Sequence, residues 1–384
     1  MNVVSATGAS LRADRNDQEV CGNNTPSALR GGRLDSIQVL RAVAAIGVVF
    51  THAITRLSTS FPGASEHALF TGLGGQLTVG DAGVDLFFVI SGFIILHVHR
   101  NDFGRPGAPL RFMLRRILRI VPIYWLLTTL ALIFLIFAPQ LFTTHYRGIY
   151  LPWIVGSYLF LPIAPPDWNA TPVVGVGWTL NYEMFFYAVF AGALLLPRRL
   201  GLQLIFVCFG IMVGLGILWK PSAPVLILVT NWLLFDFLMG IAIAWWLLSR
   251  GKLSRLPICA LISLGIACLA ATVIWPPPEE GPLRFLLWGI PAALVVFGMS
   301  SVSIPPGGVG RLMSALGDAS YSIYLFQFFA LPAWARVMRA AGAEAIPFDA
   351  SVLILTALVT ASGYACWLLL ERPLGTVARS WLHR

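Results

Sequence analysis

Long apolar runs separated by short polar segments are the dominant pattern along this chain. A helix of about 20 mostly apolar residues crosses the roughly 30 Å hydrocarbon layer of a bilayer. Ten runs of suitable length lie near residues 36–56, 81–99, 119–138, 176–196, 202–219, 224–248, 257–275, 284–301, 316–338 and 350–370. The pattern therefore predicts an all-α polytopic membrane protein with about ten transmembrane helices.

One further apolar stretch, near 150–163, is interrupted by Pro152 and Pro162 and predicts a short interfacial or re-entrant segment. Composition agrees with a membrane protein. The 384 residues are 57% hydrophobic and only 11% charged, a balance that excludes a soluble globular domain. The five cysteines show no paired spacing or ligand motif, so neither a disulfide framework nor a metal site is expected.

Basic residues are distributed unevenly between the segments that join these spans. With the N-terminus inside, nineteen fall in cytoplasmic segments, six fall in external ones and Arg41 lies within a span. Cytoplasmic loops carry the excess of Lys and Arg, so both termini are predicted to be cytoplasmic. Residues 1–33 are then a disordered cytoplasmic tail, 34–374 the membrane domain and 375–384 a short cytoplasmic tail. The net charge of +9 follows from this topology and indicates no nucleic-acid partner.

Two ionisable residues share one face of the first span. Arg41 and His52 are eleven residues apart, which is about 20° past three full helical turns and about 16 Å along the axis. Ionisable groups inside a bilayer are costly and usually face the bundle interior. The pair therefore indicates a functional path through the helices, against the alternative that Arg41 extends to the interface and His52 caps the outer end.

Carboxylates on two other spans are expected at the depth of His52. Asp85 lies one turn into the second span, where Asp81 could be a helix N-cap, and Glu183 lies about two turns into the fourth. A carboxylate beside an imidazole is the arrangement that a general base needs. The alternative is a buried structural hydrogen-bond cluster.

Two further groups of polar residues are candidates for binding or catalysis. Arg116 and Arg119 share a helix face at the cytoplasmic entry of the third span, where guanidinium groups suit phosphate oxygens. The alternative for this pair is a role in orientation alone. The ninth span is unusually polar from Ser320 to Tyr324, although hydroxyls can also bond to backbone carbonyls of their own helix.

Taken together and in this order, six segments resemble the acyltransferase 3 family of integral membrane acyltransferases, and most closely its bacterial exopolysaccharide O-acetyltransferase branch. The similarity covers roughly residues 34–374. It rests on Arg41 and His52 with ten residues between them, Gly83 to Phe93, Arg116-x-x-Arg119, Gly177 to Tyr187, Ser320 to Leu325, and Glu371-Arg372-Pro373.

The resemblance implies ten spans, acetyl-CoA or another acyl-CoA as co-substrate with no permanently bound cofactor, and O-acylation of a carbohydrate, free or lipid-linked, at the bacterial inner membrane. Arg41, Arg116 and Arg119 are then expected to bind acyl-CoA, and His52 is expected to be catalytic. Glu183 and Asp85 are further catalytic candidates because of their expected depth beside His52. Further site-lining candidates are Trp178, Asn181, Tyr182, Ser320, Tyr321, Ser322 and Tyr324. Many relatives carry His where this chain has Gln327, which argues against a catalytic group there.

The expected mechanism places the CoA nucleotide at Arg116 and Arg119 and the thioester near His52. His52, positioned by Glu183 or Asp85, would deprotonate a sugar hydroxyl or carry the acyl group itself. A multi-pass transporter of a small anionic or sugar-like solute is the alternative from another class, because intramembrane charges fit both. A relative that only binds or senses is a second alternative. The acceptor sugar, the acyl chain and the oligomeric state are not predicted.

Overall fold

The structure, a computed structural model, describes residues 32–61, 68–72, 78–138, 150–163, 171–305 and 307–382. Within these ranges the chain is helical and contains no β-strand, so the predicted all-α class is confirmed. The predicted disordered tail, 1–33, lies almost wholly outside the described residues, because the first helix begins at Gly32.

The helices are joined mostly by short connections. In chain order they are α1 (Gly32–Ser60), α2 (Leu69–Gly72), α3 (Ala82–His99), α4 (Ala108–Phe137), α5 (Leu151–Tyr158), α6 (Trp178–Ala193), α7 (Arg198–Trp219), α8 (Pro224–Thr230), α9 (Leu234–Arg250), α10 (Arg255–Ala271), α11 (Pro282–Arg284), α12 (Ile290–Met299), α13 (Gly308–Asp318), α14 (Ser320–Ala340), α15 (Phe348–Cys366) and α16 (Arg372–Leu382). Short 3₁₀ turns precede α3 and α6, and π-helical turns, Phe285–Gly289 and Trp367–Glu371, link α11 to α12 and α15 to α16.

Among the described residues, seven helical segments are long and apolar enough to cross a membrane. They are Asp35–Ser60, Val79–His99, Ala108–Phe137, Arg198–Trp219, Pro224–Arg250, Pro282–Met299 and Phe348–Val377. The other three predicted runs coincide with α6, α10 and α14, which are shorter or more polar. The protein is therefore a multi-pass membrane protein, while the count of ten spans and the cytoplasmic termini stay predictions.

The predicted short segment near 150–163 contains one small helix. α5 has eight residues, about 12 Å of helix, which is too short to cross a bilayer. Pro152 lies in its first turn, where a missing N–H costs nothing. The indole of Trp153 donates to the carbonyl oxygen of Thr171 at 2.8 Å, which ties α5 to the segment that leads into α6.

α3 lies at the centre of the bundle, packed against α1, α9 and α12. Its contact with α9 is a close backbone approach. A side chain at Gly92 would collide with the carbonyl of Phe237, and one at Gly240 with the carbonyl of Val89. Small residues at such crossings let transmembrane helices approach closely, and here they fix the position of the carboxylates that α3 and α9 carry.

α1 packs against α3 on one side and against α13, α14 and α15 on the other. Gly80, in the 3₁₀ turn before α3, lies directly against the backbone of Gly47 and the hydroxyl of Thr51. This close approach places Asp81 beside His52. The polar residues of α1 consequently face neighbouring helices, as their shared stripe predicts.

Candidate functional site

A narrow cavity of about 90 Å³, here called the inner cavity, lies between α1, α3, α4, α6 and α14. Its wall combines apolar side chains of α3 with the polar groups that the sequence singles out on the other helices. It is lined by Arg41, Val84, Phe87, Phe88, Ile90, Ser91, Ile94, Ile95, Arg116, Arg119, Ile120, Thr179, Leu180, Glu183, Tyr187, Ser320, Tyr321 and Tyr324.

A second, larger cavity of about 780 Å³, the arginine vestibule, adjoins the first. Five arginines and two carboxylates lie in its wall, so it carries net positive charge. It is lined by Gln38, Arg41, Arg111, Leu114, Arg115, Leu118, Arg119, Pro122, Ile123, Asp318, Trp367, Glu371, Arg372, Leu374 and Gly375. Arg41 and Arg119 belong to both cavities and therefore form the junction between them.

The predicted arginine pair of α4 divides between these cavities. Arg119 lines both, whereas Arg116 is only 9% exposed and lines the inner cavity alone. The guanidinium of Arg116 lies over the rings of Phe112 and Tyr187, at 5.5 and 5.3 Å from their centroids. Its Nε has no hydrogen-bond partner among the described residues. Helical geometry explains the division, because residues three apart differ by about 60° around the axis.

The vestibule instead uses a stripe of α4 arginines four residues apart. Arg111, Arg115 and Arg119 follow one another on the same face, which keeps all three guanidinium groups in one cavity wall. Arg372, at the start of α16, adds a fourth and lies over the ring of Trp367.

Glu183 lies deeper in the bundle than its sequence position predicts. It accepts hydrogen bonds from Ser91 Oγ, at 2.9 Å, and from Tyr187 Oη, and it interacts electrostatically with Arg41 and Arg116. Ser91 is six residues, about 9 Å along α3, beyond Asp85. The predicted common depth of His52, Asp85 and Glu183 is therefore wrong for Glu183.

The reason lies in the segment before α6. Val173 and Val174 are buried, and the carbonyl of Val176 accepts a hydrogen bond from the hydroxyl of Tyr324 at 2.8 Å. α6 thus begins inside the bundle and not at its outer surface. Glu183 follows that start by about one and a half helical turns and so lies at the level of Arg41, with which it interacts electrostatically.

His52 is bonded to an amide and not to a carboxylate. Its Nδ1 lies 3.0 Å from Oε1 of Gln327 on α14. The predicted contact with Glu183 or Asp85 is not formed, because Glu183 is too deep and Asp85 has another partner. Asp81 is the carboxylate that interacts electrostatically with His52, and it makes no capping hydrogen bond of its own although it lies at the N-cap of α3.

Asp85 is held in a buried ion pair with Arg284, which the sequence pattern places in an external segment. Arg284 donates from Nη2 to Oδ2 of Asp85 at 2.7 Å and from Nε to Oδ1 at 3.3 Å. Its guanidinium also lies 4.8 Å from the ring centroid of Trp288. Asp236 of α9 interacts electrostatically with both groups. Asp85 is therefore positioned as a structural anchor between α3 and the end of α11.

The polar stretch of α14 contributes three of its four candidates to the inner cavity. Ser320, Tyr321 and Tyr324 line it, and the hydroxyl of Tyr321 donates to the carbonyl of Ile120 at 3.0 Å. Ser322 faces away and donates to Glu371 at 2.5 Å. His52 and Asp85, the two catalytic candidates near the start of α3, line neither cavity. The candidates Trp178, Asn181 and Tyr182 of α6 line neither cavity as well. The three α6 residues are at least partly buried.

Sequence reasoning missed several groups that shape the site. Ser91 and Tyr187 hold Glu183, Arg284 neutralises Asp85, and Gln327 holds His52. Each is a polar residue in an apolar helical run, and that polarity could have marked it as a candidate. Its partner could not be predicted, because most of these pairs join distant parts of the chain. Among the described residues, no group of three or more His, Cys, Asp or Glu side chains is placed to hold a metal ion.

The chain is similar in sequence to known proteins over most of its length. A family model described as an acyltransferase domain matches residues 34–371. The exopolysaccharide production protein ExoZ of Rhizobium meliloti (strain 1021) is 36% identical over 317 residues, which are 78% of this chain and 91% of that protein. The "Putative membrane-bound transacylase BcsY" of Komagataeibacter xylinus is 28% identical over 284 residues, 66% of this chain and 67% of that protein. No solved structure is significantly similar.

Proposed function

The chain belongs to the acyltransferase 3 family of integral membrane acyltransferases, and from this premise we propose that it transfers an acyl group from acyl-CoA to a hydroxyl of an exopolysaccharide sugar or its lipid-linked precursor. Acetyl is the proposed acyl group. The proposed location is the inner membrane of a bacterium, where cytoplasmic acyl-CoA is within reach. The similarity to ExoZ, an exopolysaccharide production protein, supports the choice of an exopolysaccharide acceptor.

The observation that carries the proposal is the pair of adjoining cavities between the arginines of α4 and the helix that bears His52. The vestibule has the charge and the volume for a nucleotide with several phosphates, since guanidinium forks bind phosphate oxygens in pairs. Arg111, Arg115, Arg119 and Arg372 are the proposed phosphate ligands. Arg41 lies at the exit toward the inner cavity, where it would guide the pantetheine arm.

The inner cavity would receive the pantetheine arm and the thioester. At about 90 Å³ it is smaller than ordinary ligand pockets of roughly 300–1,000 Å³, so donor binding must widen it. The rings of Phe87 and Tyr324, in edge contact 6.0 Å apart between centroids, border its far end. Gln327, which contacts His52, follows Tyr324 by one helical turn. Separation of these two rings would bring the thioester to His52.

His52 is the proposed general base. It takes the proton of the acceptor hydroxyl as that oxygen bonds to the acyl carbonyl carbon, and the proton passes to the CoA sulfur as the carbon–sulfur bond breaks. Arg116, with Nε unpaired in the cavity wall, is suited to hold the thioester or amide oxygens of the donor. Label retained on His52 after donor treatment without acceptor would instead indicate a covalent acyl-enzyme route.

The test is transfer of label by purified protein in lipid vesicles. The vesicles receive radiolabelled acetyl-CoA and lipid-linked oligosaccharides extracted from the producing strain. The proposal predicts label in ester linkage on the saccharide. Uptake of labelled solute into the vesicles without any ester product would favour the transporter and overturn the proposal.

A further inference from the structure

The hydrogen bonds around Gln327 determine which nitrogen of His52 is available for proton transfer. Gln327 is 1% exposed, and its Nε2 donates to the carbonyl oxygen of Tyr324 at 2.8 Å. A carbonyl oxygen only accepts, so the amide NH₂ must face Tyr324. The amide oxygen of Gln327 must then face His52.

The amide oxygen is likewise an acceptor only, so His52 Nδ1 must carry the hydrogen in the 3.0 Å contact. In a neutral imidazole the other nitrogen is then unprotonated. We propose that Gln327 is a positioning residue that holds His52 as the Nδ1–H tautomer with Nε2 as its basic atom. This inference rests on the proposed function for its catalytic meaning, although the tautomer itself is a property of the resting protein.

The same bonds connect His52 to the wall of the inner cavity. The hydroxyl of Tyr324 donates to the carbonyl of Val176 and accepts from Thr179 Oγ1 at 3.1 Å. Tyr324 is thereby fixed at both its backbone and its ring, and Gln327 transmits that fixed position to the imidazole. Bound acyl-CoA that displaces the Tyr324 ring would leave the hydrogen bond between Gln327 and His52 intact. The Gln327 amide is oriented by the backbone carbonyl of Tyr324 and not by its ring.

An amide partner differs from a carboxylate in a way that matters for chemistry. It selects the tautomer and orients the ring, but it carries no full charge to stabilise the imidazolium that forms when Nε2 takes a proton. The charged group that faces His52 from a neighbouring element is Asp81 in the turn before α3, and Arg284 and Asp85 lie beyond it. Asp81 could supply the charge while Gln327 supplies the orientation.

Nitrogen NMR of ¹⁵N-histidine-labelled protein tests the tautomer without any substrate. The His52 signals are identified as those that disappear in His52→Ala, and protonated and unprotonated ring nitrogens resonate at clearly different shifts. We expect Nδ1 protonated and Nε2 unprotonated in the wild type. Gln327→Glu keeps an acceptor facing Nδ1, so Nδ1 should stay protonated in that variant. Gln327→Leu should show a mixture of both tautomers.

Transfer kinetics with labelled acetyl-CoA and host membranes as acceptor give the second readout. Gln327→Leu should lower the maximal rate roughly 10- to 100-fold, a part of what a general base contributes, with little change in the KM for acetyl-CoA. Gln327→Glu should restore most of that rate. Gln203→Leu, on an exposed face of α7, is the matched control and should change neither quantity.

The outcomes separate this inference from the proposed function. A wild-type spectrum with Nε2 protonated, or Gln327→Leu with an unchanged tautomer and rate, would overturn the role of Gln327. Full transfer by His52→Ala would refute His52 as the base, while the NMR result would still decide the tautomer.

Discussion

At the scale of single residues, three of the candidate groups each have a specific partner. Asp85 is paired with Arg284, Glu183 accepts from a serine and a tyrosine, and His52 faces an amide. Of these, only His52 has a ring nitrogen left for an incoming hydroxyl. These contacts support the proposed proton transfer by His52 and favour structural or donor-binding roles for Asp85 and Glu183.

Replacement of His52 by Ala should abolish transfer while the protein still inserts and folds. Loss of a general base costs about 10²–10⁴-fold in rate. Initial rates with labelled acetyl-CoA, compared at equal amounts of folded protein from gel filtration in detergent, measure the effect. A rate within twofold of the wild type would exclude His52 as the base.

Glu183→Gln and His52→Ala should act independently. Glu183 interacts with Arg41 and Arg116, and Arg41 lies about 16 Å along the helix axis from His52. Substitutions at distant sites usually have additive effects on free energy. The fold-losses of the single variants should therefore multiply in the double variant. A double variant no slower than His52→Ala alone would mean that the two side chains work as one unit, as the sequence alone predicts.

Asp85→Asn should affect stability more than chemistry. Removing one partner of a buried ion pair costs about 3–5 kcal/mol, because Arg284 would remain buried without its counter-charge. Thermal unfolding in detergent should show a lower Tm, and Asp85→Leu combined with Arg284→Met should recover part of it. An unchanged Tm together with a transfer rate reduced more than 100-fold would instead place Asp85 in the reaction.

At the scale of helices, the sequence pattern predicted the elements well and their depths less well. All ten apolar runs coincide with helices, because hydrophobic length is a local property of the chain. The depth of Glu183 depends on the buried segment around Val174, which no helical period reveals. The same limit applies to Arg284, whose burial is caused by a carboxylate some 200 positions away in the sequence.

Sequence spacing alone also did not predict which arginines of α4 share one cavity wall. Spacing alone suggested Arg116 and Arg119 as one phosphate clamp, while the structure places Arg116 among aromatic rings. Arg111 and Arg115 lie on the vestibule face with Arg119, as a four-residue period requires.

Arg119→Lys should raise the KM for acetyl-CoA about tenfold, because lysine keeps the charge and loses the bidentate fork. Arg199→Lys, in the first turn of α7 and in the wall of neither cavity, is the matched control. Steady-state rates across donor concentrations separate KM from the maximal rate. Equal KM values for wild type and Arg119→Lys would remove Arg119 from the donor site and leave it a role in membrane orientation.

At the scale of the whole molecule, the two adjoining cavities extend from an arginine-rich mouth to the rings of Phe87 and Tyr324, and His52 lies outside both cavity walls. This mouth is the arginine vestibule, whose wall includes Arg111, Arg115 and Arg372. The distribution of basic residues along the chain predicts that it faces the cytoplasm. His52, Asp81 and Arg284 lie at the other end of α3 and its neighbours. A donor and an acceptor would thus approach the reaction from opposite faces of the membrane.

A sided transfer assay tests this central claim most directly. Inside-out membrane vesicles that contain the protein are loaded with an oligosaccharide acceptor, and labelled acetyl-CoA is added only outside, with His52→Ala vesicles as the control. The account predicts ester-linked label on the enclosed saccharide in wild-type vesicles and none in the control. Transfer that occurs only when donor and acceptor share one compartment would contradict it.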